Sequence, residues 1–146
     1  MGDPYSAGLF KENPFGPRRP TTGHLVAVLK GKLEGRQLQL IAPVSRVLQQ
    51  GEIHELIATD EEAGPGQVVG RVAYLGFFEV AQGGVVVVGD ELLIAGEIIG
   101  ILAGFDTTHL PNHLNIVVKR SDRRTGLELG LEVGADVRFL PPPASG

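Results

Sequence analysis

Three observations predict an all-β, mostly antiparallel fold. Apolar residues recur at every second position, glycines punctuate the chain at short intervals, and helical periodicity is scarce. Many short strands in 146 residues leave bare edges unless the sheet curls, so the expected form is a small closed or nearly closed β-barrel. The 21 glycines supply the bends that such a barrel needs. At most one or two short helices fit the pattern. A chain of this length makes one domain and can bury a core without disulfides.

Residues 1–23 carry Pro4, Pro14, Pro17 and Pro20 with Gly2, Gly8 and Gly16 among them, which excludes a helix or a central strand. They read as an extended arm that lays Tyr5, Leu9, Phe10 and Phe15 on the body or on a neighbouring subunit. The body is one domain over 24–140. A strand at 24–30 leads into a turn at 31–35, and residues 36–41 alternate polar and apolar as a strand with one wet face. Pro43 to Gln50 reads as a short helix, with Pro tolerated in the first turn and Gly51 as the stop.

A strand at 53–59 precedes the acidic loop of Asp60, Glu61 and Glu62. Further strands are expected at 67–75, 77–81, 85–88, 91–94, 97–103, 113–120, 127–131 and 135–140. Gly89-Asp90, between two of them, reads as a type II′ hairpin link with positive φ at Gly89. The Pro-rich tail, 141–146, ends the sheet, because Pro cannot donate to a ladder. Gly66–Ala73 and Gly96–Ala103 echo each other, as a duplicated half-barrel element would, with their glycines at bulges.

Composition narrows the function. Cys is absent, which excludes disulfides, thiolate metal sites and cysteine nucleophiles. A net charge of −4 argues against a nucleic-acid partner, which a basic face would serve. The basic cluster of Lys119, Arg120, Arg123 and Arg124 surrounds turn residues, and reads as a solvated tip or as an anion contact. Apolar runs are short and broken by Gly, Asp or Glu, so no membrane association is expected. The first residues lack the basic start and apolar run of a signal peptide, and a cytoplasmic location is expected.

One polar loop stands between two apolar strands. Asp106, Thr107, Thr108, His109, Asn112, His113 and Asn115 are its candidate ligand-binding residues. A purely structural role competes with that one, because Asp, Thr and Asn also cap turns. His109 and His113 are four apart, but Pro111 between them opposes a helix, so convergence requires a turn. Asp106, His109 and His113 are also the residues that would hold a divalent metal or act as an acid/base pair, if any do. No cofactor motif is present. His24 and His54 stand alone in the sequence and read as surface or half-buried residues.

The expected function is small-ligand binding or homo-oligomeric assembly, with a small metal-assisted or acid/base enzyme as the alternative. Assembly is suggested by residues 85–102. Val85 to Val88 does not alternate, and Leu92, Leu93, Ile98, Ile99, Ile101 and Leu102 continue the apolar run. A strand that is apolar on both faces needs cover on both, and a second subunit would supply it in a dimer or trimer.

Overall fold

A computed structural model gives the structure, which describes residues 18–142. The arm residues Tyr5, Leu9, Phe10 and Phe15 and the tail beyond 142 lie outside the described residues. Among those described there are twelve strands and no helix: β1 (Thr21–Val28), β2 (Lys32–Leu33), β3 (Leu38–Gln39), β4 (Ser45–Leu48), β5 (Ile53–Thr59), β6 (Val68–Val69), β7 (Val72–Gln82), β8 (Gly84–Val87), β9 (Glu91–Ile94), β10 (Glu97–Asp106), β11 (Asn115–Lys119) and β12 (Asp136–Leu140).

The main sheet runs β1-β12-β9-β10-β11-β5-β7, and β7 pairs back onto β1, so seven strands form a ring. All its pairings are antiparallel except β11–β5, where Asn115 faces Glu55 and Lys119 faces Thr59. β2 adds to the edge of β7, while β3–β6 and β4–β8 form two small separate sheets.

Two cores follow from the period of two. Leu56 and Ala58 of β5, Leu102 of β10, and Ile116 and Val118 of β11 join Leu25, Leu75, Phe78, Leu92, Val137 and Phe139 in one cluster, to which every ring strand contributes. The alternate residues Ile57, Ala103 and Val117 face outward and pack under Leu38, Leu40 and Val69. The β3–β6 flap thus covers the outer face of β5, β10 and β11. That face is where apolar residues on both sides of a strand demand cover.

Several local expectations give way. Residues 43–50 are not a helix: β4 pairs with β8, Arg46 opposite Val86 and Val47 opposite Val85, which satisfies the backbone of the Val-rich strand. β7 runs unbroken through Gly76, where a bulge absorbs the irregularity. Gly89-Asp90 is not a hairpin link, since β8 pairs with β4 and β9 with β10 and β12. The Asp90 amide donates to the Val87 carbonyl, so Gly89 (φ 100°) sits third in the turn, the type II position.

Residues 127–131 are a capped turn instead of a strand. The Glu128 amide donates to Thr125 Oγ1 and the Thr125 amide to Glu128 Oε1, the reciprocal bonds of a capping box. The two echoed segments fall on β6–β7 and β10. Gly66 and Gly96 share φ near 82°, and Gly100 lies at a register shift of β10 against β9.

Candidate functional site

Asp106 ends β10 with its carboxylate buried. Its Oδ1 accepts the Thr108 amide (3.0 Å) and Asn115 Nδ2 (3.1 Å), and its Oδ2 accepts Thr108 Oγ1 (3.0 Å) and the Gln39 amide (3.2 Å). Asp and Thr fold this way locally because a short carboxylate reaches the amide two residues on. Asp106 therefore anchors the loop to β11 and to the flap, and does not share an exposed face with the histidines. Asn115 Nδ2 thus ties the start of β11 to the end of β10.

His109 and His113 do come together. The His113 amide donates to the His109 carbonyl (3.2 Å), a single turn around Pro111, and the rings lie 5.0 Å apart between centroids. His113 is partly buried, edge-on to Phe77 at 5.1 Å, with Nε2 3.4 Å from Glu55 Oε1. Burial pushes the Glu55 carboxyl above its ordinary range, against the pull of His113, His109 and Arg36. Among the described residues no three His, Asp or Glu side chains converge as metal ligands would. Thr108 and His109 are exposed and Thr107 is partly buried.

His54 is drawn to the same loop from β5. On a strand, neighbours point to opposite faces, so Glu55 turns outward to His113 while His54 turns toward the inner core beside Phe78. The Leu114 amide donates to His54 Nδ1 (3.0 Å). That bond places the proton of the neutral ring on Nε2, which faces Glu52 Oε1 at 3.2 Å. The Gln49 amide donates to the same oxygen at 2.8 Å. Burial works against the Glu52 charge, yet the Gln49 amide, His54 and Arg46 together hold its carboxyl below the ordinary value.

A cleft of about 430 Å³ opens here, at the end of the ring where β5 and β11 begin. Arg46, Val47 and Leu48 form one wall, Gly51 to His54 the floor, and Leu110, Pro111 and Asn112 the other wall. Of the loop's candidate residues only Asn112 lines it. Sequence reasoning passed over Arg46 and Glu52, which lie on other elements; the single available signal was Glu52 two residues from His54.

The acidic loop and the basic cluster are tied into the fold. Glu61 Oε2 accepts the Gly70 and Arg71 amides, and Asp60 pairs with Arg71 at 3.0 Å. In the basic cluster, Arg120 and Arg124 hold Asp122, Arg123 reaches Glu34, and Arg120 also donates to the Ile99 carbonyl. By contrast, the Arg46 side chain makes no hydrogen bond or ion pair with the described residues, although the residue is partly buried.

A family model described as a family of unknown function, DUF6917, matches residues 15–140. The chain belongs to this family. Neither a curated protein nor a solved structure matches it. The match spans all twelve strands of the DUF6917 domain and both walls of the cleft.

Proposed function

We propose that this DUF6917 domain binds a small polar ligand in the cleft at the end of the ring. The observation that carries the proposal is Arg46. Arg46 lines the cleft, and its guanidinium makes no hydrogen bond or ion pair with the described residues, so its fork of donors is open to a ligand anion. The volume lies within the range of small-molecule sites, which favour the mouths of β structures. Asn112 brings an amide from the loop, and Glu52 and His54 line the floor in a fixed orientation.

NMR titration of labelled protein with a panel of small carboxylates, phosphates and amino acids tests the proposal. Saturable shifts are expected at the Gly51, Ile53, His54 and Asn112 amides, and Arg46→Gln should remove them for anionic members. Shifts that ignore Arg46→Gln, or that fall elsewhere on the domain, would discard the cleft as the binding site.

A further inference from the structure

The cleft holds two opposite charges that do not meet. Arg46 projects from β4 and Glu52 from the turn before β5, and both line the cavity. No ion pair joins them. Glu52 is firmly placed: Oε1 takes the Gln49 amide and His54 Nε2, and His54 is itself fixed by the Leu114 amide. Its second oxygen, Oε2, has no hydrogen-bond donor among the described residues. The site therefore presents a rigid acceptor for a cation and, separately, a fork of donors for an anion.

Apolar surface completes it. Val47 (62% exposed), Ile53 (43%) and Leu110 (39%) are large apolar side chains left open to water, and all three line this one cleft, beside Pro111. They come from three different elements, so their convergence is a property of the fold. An exposed apolar rim around fixed polar groups is the composition of a small-molecule site.

We infer that the ligand is a small zwitterion with an apolar body, such as a free apolar amino acid or a dipeptide of that kind. The inference rests on the cleft being a ligand site. The ligand carboxylate lies on Arg46, its ammonium on Glu52 Oε2, and its side chain against Val47, Ile53 and Leu110. A simple anion would meet the Glu52 carboxylate, and a simple cation the Arg46 guanidinium; like charges in a partly dry site repel, so each alone binds less well. A volume of about 430 Å³ accommodates a molecule of this size.

Three probes that differ in one charged group decide it: L-leucine, 4-methylpentanoate and isopentylamine, each titrated by NMR at the cleft amides. Leucine is expected to bind at least about tenfold more tightly than either, since each charge-assisted contact is worth that much. Arg46→Gln should reduce leucine to the affinity of isopentylamine, and Glu52→Gln, which keeps an acceptor for the Gln49 amide, should reduce it to that of 4-methylpentanoate. 4-Methylpentanoate binding as tightly as leucine, with both lost in Arg46→Gln, would overturn the zwitterion and leave an anion site. Saturation by none of the three overturns the zwitterion as well. In that case shifts from other panel members would keep the cleft as a ligand site, and their absence would remove it.

Discussion

Asp106 and His109 stand three residues apart and have opposite fates. The Asp106 carboxylate is buried under four donors, whereas His109 is exposed. Asp106→Ala strands the buried Asn115 amide and two backbone N–H groups, and should cost about 3 kcal/mol by chemical denaturation. His109→Ala should change stability by no more than about 0.5 kcal/mol, as exposed positions do. Glu52 and Glu55 also diverge, though they are three apart. Glu55 ionises above its ordinary 4.5, so its contribution to stability is present below that pH and is lost as pH rises through the folded value. Glu52 ionises below 4.5, so its contribution is present above that pH and is lost as pH falls through the folded value. Carboxyl NMR titration should place the two on opposite sides of 4.5. Equal titration would show that burial and the Gln49 amide do not act as the geometry implies.

At the scale of elements, alternation was a sound guide where one face meets the core and the other meets water. β9 and β12 alternate in burial in this way, whereas β5 is a strand buried on both faces. Alternation misled at 127–131, where Leu127, Leu129 and Leu131 alternate but Thr125 and Glu128 close a capping box. The signal was in the sequence as Thr-x-x-Glu. At 43–50 the competing force is long-range, because β4 is recruited by the unpaired edge of β8. Gly126, at the start of the capped turn, lies against β7, and a Cβ there would fall on the Leu75 carbonyl oxygen. Gly126→Ala should destabilise the domain by about 1–3 kcal/mol, the cost of overpacking. A melting temperature unchanged from the parent would mean that the turn shifts freely.

For the whole molecule, the cover that the apolar residues 85–102 need is largely found within one chain. Val86, Leu92, Ile94, Ile99 and Leu102 are buried, β4 pairs along β8, and Arg18 closes over Asp90 at 2.7 Å. Within that stretch the large apolar side chain left well exposed is Ile98, at 59%. Homo-oligomeric assembly is accordingly proposed on Ile98 and its surroundings. Sedimentation equilibrium at micromolar concentration should give a dimer or trimer that Ile98→Asp weakens. A monomer of the parent protein would eliminate this interface.

What the sequence determined by itself was the class of structure and the places where chains bend. Period-two alternation, abundant Gly and the want of helical periodicity act locally, and they specify strands wherever one face is wet. It also showed that residues 106–115 form a polar loop between two strands. Tertiary structure alone decided the order of strands in the ring, the parallel β5–β11 pair, and which polar residues meet. His54 reaches Leu114 across the β5–β11 contact, Glu55 turns the opposite way to His113, and Arg46 and Glu52 come to one cleft from separate elements. None of these juxtapositions has a period or a spacing to betray it, because each depends on the closure of the ring, and closure is settled by the burial of both cores at once.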